Sequence, residues 1–192
     1  MRPVRRDRKA KQTVNVSCRI GKAEYDLLFK DSNNKGLSLN SLINNVLKRY
    51  LAWEKSADEI GFIPLSKMAI KKIFDSMDEK TINEIAREVG QTIPRELTFL
   101  IFNKLDFASI MSMIEIYSTR FGALRHEING TKHDLTLHHG LNKKFSQYLA
   151  AVLEAMAEDL DLKLIVKNAD KTILCVEIDE FTSIYNGEPS QN

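Results

Sequence analysis

The sequence predicts an α+β protein. Three observations carry that expectation: an alternating apolar run near the N-terminus, a middle stretch whose apolar residues recur every three to four positions, and a return to period-two patterning on either side of one further amphipathic helix after Gly122. With 192 residues, 43% of them hydrophobic and 28% charged, the chain has ordinary globular composition. No apolar run reaches the ~18 residues of a membrane span. The basic start is followed by no apolar signal core, and Cys18 and Cys175 form no CxxC pair. A disulfide framework and a Cys-rich zinc site are excluded, and a cytoplasmic protein that does not engage membranes is expected.

Charge is unevenly placed. Arg2, Arg5, Arg6, Arg8, Lys9 and Lys11 stand against Asp7 alone in residues 1–12, a net +5; because the formal total is +2, the rest of the chain sums to −3. A cationic arm on an acidic body points to a polyanion. Nucleic acid comes ahead of membrane because no amphipathic apolar face accompanies the arm. The other reading of the arm is a solvated tail.

After the arm, Val14, Val16, Cys18 and Ile20 alternate with Asn15, Ser17 and Arg19, the pattern of a strand with one apolar and one polar face. Cys18 sits on the apolar face and reads as a small core residue rather than a nucleophile. A short helix over roughly 22–33, with Ala23, Leu27 and Leu28 inward, stops at Asn33-Asn34-Lys35-Gly36, where Gly36 or an Asn suits the left-handed conformation. Ser38 is placed to cap a longer helix carrying Leu39, Leu42, Ile43, Val46, Leu47, Tyr50 and Leu51. A lone strand has unpaired edges, and so small a unit is hard to stabilise alone. A symmetric dimer in which the strand pairs with its twofold mate resolves both problems.

The run V-S-C-R-I-G-K-A-E-Y-D-L-L followed by G-L-S-L-N-S-L-I-N-N-V-L-K-R-Y-L resembles the ribbon-helix-helix DNA-binding family, of the Arc and MetJ type, over about 42 residues. Gly21 departs from the Pro that members often carry there, leaving the strand–helix junction less rigid. The resemblance implies an antiparallel two-stranded ribbon entering the major groove of double-stranded DNA. Alternation then turns Asn15, Ser17 and Arg19 to the bases, with Arg19 suited to guanine and Asn15 to adenine. Ser38, Leu39 and Asn40 open the second helix toward a phosphate, and Arg2, Arg5, Arg6, Arg8, Lys9 and Lys11 supply further phosphate contacts.

A junction is expected over 56–65, punctuated by Gly61 and Pro64, and an α+β domain over 66–185. Ser66 caps a helix bearing Met68, Ile70, Ile73 and Phe74. Asp78 starts another that Gly90 stops, Thr92-Ile93-Pro94 opens a third, and Asp106 a fourth. Thr81–Leu97 bears a superficial likeness to a second helix-turn-helix, but the residues after Pro94 are too apolar for a reading helix. Asn129-Gly130 signals a type I′ hairpin, which would set Glu127 opposite Lys132, Arg125 opposite Asp134, Ala123 opposite Thr136, Ile128 opposite Thr131, His126 opposite His133 and Leu124 opposite Leu135. Asn142–Asp159 reads as a helix, and Leu162–Lys167 with Thr172–Ile178 as a second hairpin. Residues 186–192 are polar and expected to fray.

All four histidines lie in the first hairpin and its end. His126 and His133 on one face, with His139 farther along, admit a metal-sensing site, a pH switch, a ligand-pocket floor, or hydrogen-bonded histidines in a packed sheet. No Gly-rich phosphate loop, G-x-S-x-G or HExxH is present, so an enzyme is not expected. The function expected is that of a sequence-reading transcriptional regulator, a dimer or a tetramer of two dimers, whose C-terminal domain senses a small molecule or metal or extends the oligomer. The alternatives are an interaction module of antitoxin or scaffold type and a chromatin-like packaging protein.

Overall fold

The computed structural model describes residues 13–180; the basic arm and the polar tail lie outside them. The protein is mixed helix and sheet, and its residues divide into two compact units after Leu47. In the first unit, residues 13–20 carry no regular secondary structure. Among the described residues, the expected strand over Val14–Ile20 is therefore not formed, and no described strand pairs with it. Helix α1 (Lys22–Asn34) ends with Gly36 at φ 63, its N–H donating to Asn33 O while Leu37 N–H donates to Ser32 O. This double closure is the Schellman arrangement, and it requires a left-handed residue. Ser38 then caps α2 (Leu39–Arg49), its Oγ accepting from Ser41 N–H at 3.1 Å.

The helical path does not break where the junction over 56–65 is expected to begin. It widens into a π turn over Tyr50–Glu54 and resumes as α3 (Lys55–Ile60), ending on the left-handed Gly61. Side-chain caps start the next helices where the sequence places them. Ser66 Oγ accepts from Ala69 N–H for α4 (Lys67–Ser76), Asp78 from Thr81 N–H for α5 (Glu79–Phe102), and Asp106 from Ser109 N–H for α6 (Phe107–Ser118). Helix α5 corrects the sequence reading: one 24-residue helix runs through both Gly90 and Pro94, so neither two helices nor a second helix-turn-helix exists there. Gly90 lies where a Cβ would stand 2.4 Å from Val152 O, and it is kept small by a neighbouring backbone rather than by a helix end.

The sheet is antiparallel, in the order β1-β2-β4-β3, from β1 (Ala123–Asn129), β2 (Lys132–His138), β3 (Lys163–Ala169) and β4 (Ile173–Asp179). Between the hairpins runs α7 (Lys143–Asp159), capped by Asn142. Helix α7 packs on β3 and β4, and α5 packs on α7. The core between them contains Leu97, Leu135, Leu137, Leu149, Met156, Leu174, Val176 and Ile178.

The first hairpin is displaced by two residues from the expected register. Asn129 pairs with Lys132, so the turn is Gly130-Thr131, with Gly130 at φ 66 and no positive φ at Asn129 or Thr131. A positive φ at the first central position alone is the II′ form, not I′. Glu127 therefore faces Asp134, Arg125 faces Thr136, Ala123 faces His138, His126 faces Leu135, Ile128 faces His133 and Leu124 faces Leu137. Because the slip is even, each side chain keeps its expected face.

On the outer face, Asp134 stands directly opposite Glu177, a destabilising pair by itself. Lys167 salt-bridges both carboxylates and Lys132 joins Glu177 at 2.7 Å. Those ammonium groups, Lys132 foremost, hold the Glu177 carboxyl down at about 2.

Candidate functional site

The residues expected to read DNA are all exposed. Asn15, Ser17 and Arg19 are open to solvent. So are the residues expected to face inward: Val14 is 86% exposed, Val16 85% and Ile20 44%, and Cys18 is exposed too. The expectation of an apolar strand face packed on helices, with Cys18 in a core, does not hold within a single chain. Along the two helices Leu27, Phe29, Val46 and Leu47 are exposed as well, and Leu42 is the one apolar residue buried between positions 13 and 47.

At the start of α2, Ser38, Asn40 and Ser41 are exposed and Leu39 is partly buried. The Ser38 hydroxyl is occupied by Ser41, through the N–H and a 2.8 Å contact between the two Oγ atoms. The N–H groups of Leu39 and Asn40 are at positions with no partner inside a helix. The cationic side chains of residues 2–11 lie outside the described residues.

The histidines separate into two groups. His126 and His133 are diagonal neighbours across the hairpin rather than directly paired, yet they meet: His126 Nε2 and His133 Nδ1 are 2.8 Å apart. Glu115 on α6 holds His126 Nδ1 at 2.7 Å, Glu180 lies 4.0 Å from His133 Nε2, and the Phe107 ring packs edge-on against His133. With Glu115 taking the Nδ1–H of His126, a chain of hydrogen bonds runs from carboxylate through both imidazoles. Burial, and then His126, lowers the His133 pKa, while Glu180 and Glu115 oppose the shift. Among the described residues no group of three or more metal-donor side chains converges.

His139 does not belong with that pair. Six residues on from His133 and just past the end of β2, it is fully buried with both ring nitrogens engaged. Nδ1 accepts from Leu141 N–H at 3.1 Å. Nε2 lies 2.7 Å from Ser146 Oγ, and that hydroxyl donates to Asp170 O, so the imidazole is neutral with its proton on Nε2. Burial, with Lys67 and His138 adding, pushes its pKa down to about 4. His139 thus ties the end of β2 to α7 and the β3–β4 turn. It is not the ligand the sequence suggested, because no nitrogen is left to coordinate.

The sign of its pH effect follows. The unfolded chain binds a proton at His139 below about 6.5 and the folded protein only below about 4. Its stability contribution is complete above the upper value and falls as pH drops through that window. The urea midpoint should decline between those pH values, and His139→Gln should flatten that part of the profile; an unchanged profile would contradict the neutral assignment.

No family model matches this chain, and no curated protein matches it. Among solved structures, a point mutant of the T. tengcongensis H-NOX protein is similar at 15% identity. That match covers 76% of this chain and 94% of that one with a TM-score of 0.39, a superposition too loose to carry any inference.

Proposed function

We propose that the chain is a dimeric, sequence-specific DNA-binding transcriptional regulator, with an N-terminal ribbon-helix-helix unit that starts at residue 13 and a C-terminal unit for ligand sensing or oligomerisation. One observation carries the reading: residues 13–47 bury a single apolar side chain, Leu42, and leave an alternating apolar segment and two apolar helix surfaces uncovered. Each large aliphatic side chain left in water forgoes ~1.5–3 kcal/mol of burial. A second copy supplies what this unit needs, because the same segment running antiparallel provides both the missing ladder and the missing cover. In that pairing Val14, Val16, Cys18 and Ile20 face the helices, while Asn15, Ser17 and Arg19 face the major groove. The start of α2 and the cationic arm hold the flanking phosphates.

Arg19 is the residue best able to specify a base, through a two-pronged contact to guanine. On duplexes selected by genomic footprinting, Arg19→Ala is expected to weaken binding by ~1–3 kcal/mol and relax one base position, with little change on random duplex. Equal losses on both duplexes would make Arg19 a phosphate contact and remove direct readout from this strand.

A further inference from the structure

The second unit contains a cavity of about 550 Å³ walled largely by aromatic rings, a volume typical of small-molecule sites. Its construction starts at the π turn. In a π turn, residues five apart line up, and Arg49 Nε donates to Glu54 Oε1 at 2.8 Å across that spacing. The same turn buries Trp53, whose ring meets Phe62 at 5.1 Å and Tyr117 at 5.5 Å. The opposite wall is Phe74, Phe145 and Tyr148, in mutual contact at 5.1–5.9 Å. Such π turns recur at functional sites.

The polar groups at this cavity have chemistry to spare. Neither the Tyr117 nor the Tyr148 hydroxyl finds a hydrogen-bond partner among the described residues, and burial raises both phenol pKa values, so both remain donors. Arg120 lies over the Trp53 ring, 5.2 Å from its centre, and its guanidinium makes no hydrogen bond or ion pair among the described residues. Partial burial, with Arg49 nearby, disfavours its charge, and Glu54 only partly offsets this. Glu54 is already engaged by Arg49, and Asp58, the other lining carboxylate, is solvent-exposed. Among the described residues, Arg120 is therefore the one cationic side chain lining the cavity, exposed at its edge beside the Trp53 ring and paired with neither lining carboxylate.

We propose that this cavity binds a small organic anion, a carboxylate on an aromatic or short aliphatic body, with Arg120 holding the carboxylate and the aromatic walls the body. A guanidinium fork matches a carboxylate in two parallel bonds, and the rings contribute apolar contact on either side. This deepens the sensing part of the regulator reading, and it rests on that reading only for any consequence at DNA. Its test contains no DNA, so its failure leaves DNA binding standing.

Trp53 is the sole tryptophan and lines the cavity, so its emission reports occupancy. The full chain is titrated with phenylbutyrate, phenylbutanol and phenylbutylamine, which share one body and differ in head-group charge. Phenylbutyrate should shift Trp53 emission saturably and bind about tenfold or more tighter than the alcohol, the factor expected of one charge-assisted hydrogen bond. Arg120→Gln, a change at an exposed residue, should erase that preference, read as the ratio of acid to alcohol affinity within the same variant, and Arg120→Lys should restore part of it. The proposal is overturned if none of the three probes moves Trp53, if the amine binds tightest, or if the anion preference survives in Arg120→Gln.

Discussion

Gly90→Ala is expected to destabilise the protein, although alanine in place of an interior helix glycine ordinarily stabilises by ~1 kcal/mol. The reversal comes from what lies beside it. A Cβ built at Gly90 would stand 2.4 Å from Val152 O and 2.8 Å from the Ala155 Cβ, both on α7. The carbonyl belongs to a helix backbone and cannot rotate aside, so α5 and α7 must separate. Overpacking of this kind costs ~1–3 kcal/mol, and separation would also loosen Ile82 and Ala86 of α5 and Met156 of α7, all almost fully buried. The urea midpoint should fall, and Gly90→Val should lower it further. A midpoint that rises on Gly90→Ala would mean that the two helices do not approach this closely.

The same residue shows where sequence reading stops. Glycine and proline are the strongest local punctuation, and Gly90 and Pro94 together read as a helix end followed by a helix start. What overrides them is a contact some sixty residues away in the chain, and no local pattern announces it. The caps fared differently. Ser38, Ser66, Asp78 and Asp106 each accept an N–H three residues on, an interaction contained within a single turn and therefore legible.

The first hairpin falls between these cases. Its existence, its buried face and the meeting of His126 with His133 follow from alternation, which survives a slip of two. The register depended on which glycine conformation closed the turn, and so the expected charge pairs were wrong. Arg125 pairs with Glu127 along its own strand, and Lys132 reaches Glu177 instead. The aromatic cavity had no sequence signal, because its walls come from positions as far apart as Trp53 and Tyr148. His139 lies just past the end of β2, and its role is fixed by Ser146 and Asp170, which lie beyond the hairpin.

A second large effect is expected from Val16→Glu. Val16 is 85% exposed in the single chain. In the proposed ribbon it faces the helices of the paired unit, where an unpaired carboxylate is far costlier than a lost aliphatic contact. The unit keeps almost no apolar core of its own, so little would hold two copies together once the ribbon carries buried like charges. Dimer and DNA affinity should be lost together, since each protomer contributes one strand to the reading surface and obligate dimers couple folding to concentration. Unit 2 should keep its own fold, because its core lies wholly outside residues 13–47.

Sedimentation equilibrium on the full chain, with Val16→Glu run beside it, tests the pairing most directly. The natural sequence should sediment as a dimer or a multiple of one at micromolar concentration, and the variant should fall to half that mass. A monomer throughout, or an assembly indifferent to the glutamate, would contradict a twofold ribbon built from residues 14–20.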